Sequence, residues 1–276
     1  MNDYIKSLLK FLDDSPCDFL AVKSMKEILE HNGFSEKKLE QSMKIKAGDK
    51  FYFTKNDSAI FAVVVGKKKI QDTGFKVIAA HSDSPGFRIK PSAEVKCEGG
   101  IVKLNTEVYG GPILYTWFDR PLSLAGRVIV KGDDALHPVT KLLHVKRPLL
   151  SIPHLAIHFN RAVNEGNKLS KQKDMLPFIA KLNGKLEEKN LLINLIAQEL
   201  KVKDKNILDF DLLLYNTEKA CTYGLHDEFI SAGRLDDLSM AHAAVTAIVE
   251  MGKPDATCVA AIFDNEETGS GTKQGA

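Results

Sequence analysis

Three short stretches of this sequence carry side chains that bind protons and cations where folding alone would not require them. In VIAAHSDSPG, His81 and Asp83 follow the apolar run Val77 to Ala80. An imidazole there is a candidate metal ligand, and a carboxylate two residues on can orient it. Ligands bind in open α/β sheets just beyond the carboxyl ends of the strands. In AGRLDDLSMA, Asp236 and Asp237 stand at the start of an expected helix. Carboxylates there complement the helix dipole and cap free amides, yet one aspartate is enough for a cap. In AAIFDNEETGSG, Asp264, Glu266 and Glu267 crowd together after an apolar strand. Like charges so close repel unless a cation or a proton is shared. Adjacent glutamates also suit a division of labour, one binding metal while the other accepts a proton from water.

Taken singly, each stretch also fits a structural role: a hydrogen-bonded loop histidine, a helix cap, a solvated acidic turn. Jointly they hold the donors of a two-metal hydrolase, nitrogen and oxygen without thiolate, with one carboxylate shared between ions about 3.5–4 Å apart. His81 and Asp236 are far apart in sequence, so a fold must bring them together.

The elements that would position these residues can be read from periodicity. Ile5, Leu8, Leu9 and Leu12 recur at helical spacing, Ser15-Pro16 gives a cap-and-start signal, and Phe19, Val22, Met25 and Leu29 mark a second helix closed by Gly33. FYFTKNDSAIFAVVVG predicts two strands around a polar turn at residues 55–58, and FKVIAAH predicts a buried strand. LDDLSMAHAAVTAIVEMG predicts a helix with Leu238, Ala241, Ala244, Val245 and Ile248 on its apolar side. ATCVAAIF predicts a buried strand leading into the acidic turn. The sheet is expected to end at an unpaired edge after Phe263. Between these α/β ends lies a β-rich middle, punctuated by Gly and Pro and interrupted by the helical stretch Leu191 to Leu200. The expected organisation is α/β, with residues 1–86 and 231–276 as the two segments of one domain and residues 87–230 as an insert.

Composition narrows the function classes. The 276 residues are 44% hydrophobic and 27% charged, with 38 Lys plus Arg against 36 Asp plus Glu, for a net charge of +2. No large positive field exists to attract nucleic acid or anionic lipid, so neither is an expected partner. Cys17, Cys97, Cys221 and Cys258 form no CxxC pair, which argues against a thiolate zinc cluster and a secreted disulfide framework. The N-terminus lacks the pattern of a signal peptide, and no apolar run approaches the roughly 20 residues needed to span a bilayer. A cytoplasmic location is expected.

AAHSDSPGFRIKP, VYGGPILYTWFDRPLSLAGRV, IPHLAIHFNR, SAGRLDDLSMAHA and FDNEETGSGTKQGA occur in the order found in the aspartyl aminopeptidase family of metallopeptidases, which this chain resembles throughout. The resemblance implies a metallopeptidase-type α/β/α catalytic domain interrupted by a β-rich dimerisation domain, and assembly into homo-oligomers, tetrahedral dodecamers in the family. It implies two divalent ions, usually zinc, and removal of N-terminal residues, often acidic, from peptide substrates. Carried over by motif, His81 and Glu267 become ligands of opposite metals and Asp236 the bridging ligand. Glu266 becomes the general base and Asp83 the residue orienting His81; Asp237 takes no ligand role. His158 resembles a histidine that reaches an active site across the dimer interface, with His154 as its competitor. Family members are longer, and the resemblance places a further Asp and His ligand beyond Ala276. The chain is therefore expected to be a C-terminally truncated member, short of ligands and weak or inactive as it stands. The alternative is a family member acting only in assembly or metal binding.

Overall fold

The computed structural model describes residues 2–182 and 190–275. In chain order its elements are α1 (Asp3–Asp14), α2 (Asp18–His31), β1 (Ser35–Glu36), β2 (Lys50–Lys55), β3 (Ala59–Val64), the single turn α3 (Ile70–Thr73) and β4 (Phe75–His81), followed by β5 (Gly86–Lys96), β6 (Ile101–Tyr109), β7 (Leu122–Val130), β8 (Val139–His144), β9 (Phe178–Lys181), α4 (Leu191–Leu200) and β10 (Ile207–Asn216), and finally β11 (Cys221–Tyr223), β12 (Phe229–Ser231), α5 (Leu235–Glu250) and β13 (Thr257–Phe263). They form two compact units, Met1–Ser84 with Lys219–Ala276, and Pro85–Glu218. The fold class is α/β.

The first unit is built on a sheet of order β1-β2-β3-β13-β4. The hairpin β2–β3 follows from alternating apolar residues around the Asn56-Asp57 turn, where both residues adopt positive φ. β13 runs antiparallel to β3 and parallel to β4. The apolar faces of α1, α2 and α5 pack with Tyr52, Ile60, Ala62, Val64, Ala260 and Ile262 into one core on one face of this sheet. That burial is the main source of stability for helices of this length.

The three long helices of this unit share one core. Several sequence expectations change here. β13, expected at the edge, is central, because β4 adds on its far side. β4 is the edge strand, and Phe75, Val77 and Ile78 are about half exposed instead of buried. An apolar run reads as buried in sequence whether or not anything covers it. Ser15 closes α1, and Cys17 stands at the start of α2. Residues 219–230, placed in the insert by the sequence, associate with the first unit: the Ala220 N–H donates to Asp13 Oδ1 at 2.9 Å, and Ala220 and Ile230 pack against its core.

The second unit holds a six-stranded sheet, β8-β7-β10-β5-β6-β9, antiparallel throughout. α4 lays Leu192 and Ile196 into a core with Phe87, Leu104, Leu122 and Leu124. Gly126 allows the close approach of β7 and β10, since a Cβ there would lie 2.1 Å from the Asp211 carbonyl oxygen.

Candidate metal centre

β4 and β13 are parallel and in register, so that their last residues, His81 and Phe263, stand side by side. The loops that follow therefore emerge at the same end of the sheet. Ser82 ties them together: its N–H donates to the Phe263 carbonyl at 2.8 Å, and its hydroxyl donates to the Ser58 carbonyl at 2.6 Å. The segment leading into α5 arrives at the same place. Residues far apart in sequence thus converge at the carboxyl ends of two neighbouring strands, the position where open α/β sheets bind ligands.

The His81 side chain is mostly buried at the centre of this convergence. Its Nδ1 lies 3.0 Å from the Asp83 carbonyl oxygen and 3.3 Å from Asp83 Oδ1. That leaves Nε2 facing outward, 3.4 Å from Asp236 Oδ1 and 3.8 Å from Glu266 Oε2. His81, Glu266 and Glu267 each offer a ligand atom, all within 4.8 Å of one another. The structure thus gathers His81, Asp83, Asp236, Glu266 and Glu267 in one place.

Asp83 is almost fully buried, and its carboxylate reaches the second loop. Oδ1 accepts the Glu266 N–H and Oδ2 the Glu267 N–H, both at 3.2 Å. The turn carrying the two glutamates is held from its other side by Asn265. At φ 59° this residue occupies a conformation that asparagine tolerates, and its Oδ1 accepts from Thr272 Oγ1 at 2.8 Å and Gln274 Nε2 at 3.1 Å. Asp264, counted with the acidic cluster in sequence, is buried and turns to its own loop, where Oδ1 accepts the Asn265 N–H.

Asp236 and Asp237 do not cap a helix. Both have non-helical backbone angles ahead of the regular turns of α5, and a cis peptide joins them. Their side chains part: that of Asp236 is 87% exposed on the open side of the cluster, while that of Asp237 is 17% exposed and accepts the His81 N–H at 3.0 Å. Two neighbouring aspartates ahead of a helix read as caps in sequence, and nothing in their spacing revealed this contact.

The electrostatics are those of a site with surplus negative charge. Burial disfavours the His81 imidazolium, but the hydrogen bond and charge of Asp83, with Asp237 adding, outweigh it and raise the pKa to about 9. Burial lifts the Glu267 carboxyl above its usual range; His81 opposes this, while Asp83, Glu266 and Asp236 reinforce it. Asp237 is likewise raised by burial, against the pull of His81, with Asp236 and Glu266 adding to the rise. Five carboxylates surround one imidazole. A divalent cation fits this donor set, because it would relieve repulsion that protonation relieves only in part. Imidazole and carboxylate donors without thiolate suit zinc or a similar first-row ion. The cysteines are free thiols, and none belongs to the cluster.

His158 belongs to the second unit, in the turn Ile157–Phe159, flanked by the exposed Leu155, Ile157 and Phe159. The competing His154 is held in that unit: its N–H donates to Asp119 Oδ1 at 3.0 Å, and its ring meets Phe118 edge-on at 4.7 Å. No helix among the described residues is long and apolar enough to cross a membrane.

Comparison with known proteins places residues 11–276 in the family described as Aminopeptidase I zinc metalloprotease (M18). A Probable M18 family aminopeptidase 2 of Clostridium acetobutylicum is 52% identical over 274 residues, covering 99% of this chain and 63% of that protein. The Aspartyl aminopeptidase of Dictyostelium discoideum is 36% identical over 305 residues, covering 98% and 63%. Among solved structures, that of mApe1 from Chaetomium thermophilum matches with a TM-score of 0.90 at 32% identity, covering 99% of this chain and 64% of that one. The chain spans about 63% of the length of the curated relatives it matches.

Proposed function

Because this chain belongs to the M18 family of zinc metalloproteases, we propose that the cluster around His81 is the metal-binding part of a dinuclear aminopeptidase centre that hydrolyses N-terminal residues from peptides. The observation that carries this reading is the convergence of His81, Asp236, Glu266 and Glu267 at the ends of β4 and β13. His81 and Glu267 would hold separate ions and Asp236 would bridge them. Bound zinc would supply Lewis-acid polarisation of the scissile carbonyl and the attacking water. Glu266, half exposed at the mouth of the cluster, would serve as the general base, its carboxylate accepting a proton and passing it to the leaving amine. Asp83 holds the imidazole through Nδ1 and fixes the backbone of both glutamates. A preference for acidic N-terminal residues, a cytoplasmic setting and homo-oligomers formed through residues 85–218, with His158 near the interface, complete the proposal. The exposed Leu155, Ile157 and Phe159 support an interface there.

The ligand count favours a second reading. With Asp236 bridging, each ion would have two protein ligands from this cluster, fewer than the three or more that such sites usually take. A chain that binds metal or assembles without turnover would follow. Assaying Glu-, Asp- and Leu-terminated chromogenic amides after zinc loading separates the two. Turnover that Glu266→Gln lowers by at least about a hundredfold, with metal affinity little changed, supports the peptidase. Metal binding or assembly without turnover supports the second reading, and no metal binding defeats the peptidase.

A further inference from the structure

β4 pairs with β13 on one side only, and among the described residues no strand lies on the other. Because the Ser82 N–H donates to Phe263 of β13, the alternation of a β-strand turns the preceding His81 N–H toward the open side. A backbone donor in that position normally waits for a neighbouring strand or for water. Here the Asp237 carboxylate meets it, with Oδ2 accepting at 3.0 Å. Asp237 is mostly buried, α5 has no side-chain cap hydrogen bond at its N-terminus, and among the described residues the one basic group within 4.0 Å of its carboxylate is the His81 imidazole. Burying a carboxylate costs free energy unless it makes strong hydrogen bonds, and its bond to the His81 amide is the interaction that accounts for its place.

We infer that Asp237 is a positioning residue for the centre: it fixes the backbone of His81, as Asp83 fixes the ring, so that Nε2 stays aimed at Asp236, Glu266 and Glu267. It is not itself a ligand. Its Oδ2 is committed to the amide and lies 4.0 Å from Nε2, whereas Asp236 turns its side chain outward with Oδ1 3.4 Å from Nε2. The inference rests on the metal-centre reading for its purpose, though the hold on His81 stands apart from it.

The test has two readouts. In the metal-free wild-type chain, hydrogen exchange at the His81 amide should be at least about tenfold slower than at Val77 and Ala79, whose amides face the same open side. Equal rates would overturn the inference. Cobalt(II) binding, followed by titration and visible absorption, is then compared in wild type, Asp237→Asn and Asp237→Ala. Asparagine keeps an acceptor oxygen and should hold affinity within about threefold, while alanine should weaken it by about 10- to 100-fold. An equal loss in both variants, with an altered spectrum, would make Asp237 a ligand and overturn the inference, and so would no change in either. Should wild type bind no cobalt, the metal-centre reading fails, while the exchange rates still decide whether Asp237 holds His81.

Discussion

The carboxylate of Asp83, two residues past the end of β4, accepts the backbone N–H of Glu266 from the loop after β13 at 3.2 Å. Its other oxygen takes the next amide, that of Glu267, at the same distance, while Oδ1 also lies 3.3 Å from His81 Nδ1. One buried side chain therefore sets both the imidazole and the paired glutamates. Asp83→Ala should lower unfolding stability by about 2–3 kcal/mol, the usual scale for losing buried hydrogen bonds to a charged group. It should also weaken metal affinity by about 10- to 100-fold. Urea denaturation and a cobalt titration measure the two effects, and unchanged values would count against the arrangement.

The raised pKa of His81 gives the metal-free chain a particular pH dependence. Between about 6.5 and 9 the native imidazole keeps a proton that the unfolded chain has released. The native state therefore binds more protons there, and this contribution to stability is lost as pH rises through that window. Metal needs the neutral ring, so its apparent affinity should rise with pH up to about 9, with proton release on binding. Calorimetry in buffers of different ionisation enthalpy would show that release; its absence would exclude His81 as a ligand.

His242 should act on the acid side. It lies buried in α5 against Tyr4 and Phe11, with Nε2 3.0 Å from Ser7 Oγ, and burial lowers its pKa. As pH falls below about 6.5 the unfolded chain gains a proton that the native ring resists, so stability drops. His242→Leu should flatten the fall in urea midpoint between pH 7 and pH 5. An identical slope in the variant would assign the acid sensitivity to other groups.

The open edge of β4 is a liability for the isolated chain. Phe75, Val77 and Ile78 are exposed on a strand that, among the described residues, is paired on one side only, an arrangement that promotes edge-to-edge association. Val77→Lys should reduce light scattering on incubation while changing unfolding free energy by less than about 0.5 kcal/mol. Undiminished aggregation would place the sticky surface elsewhere.

Much of the site's scaffold was legible in the sequence, because strand periodicity and chemistry coincide there. The apolar runs before His81 and Asp264 mark two strands, and polar residues just past such strands mark a ligand-binding end. The helix of Leu238, Ala241 and Val245 showed its apolar face directly. What stayed hidden depends on contacts between distant segments. Neither the bond from His81 to Asp237 nor the grip of Asp83 on two amides leaves a trace in spacing. Asp264 looked like a third member of the acidic cluster, and only the turn at Asn265 shows that it faces inward. The edge position of β4 was also invisible, since Val77 and Ile78 are apolar whether covered or bare.

The central claim is that His81, Asp236 and Glu267 clasp divalent cations. Anomalous diffraction at the zinc absorption edge from zinc-loaded crystals tests it most directly. The account predicts anomalous peaks about 2.0–2.2 Å from His81 Nε2 and from carboxylate oxygens of Asp236 and Glu267. Zinc bound only elsewhere, or no peak beside His81, would contradict it.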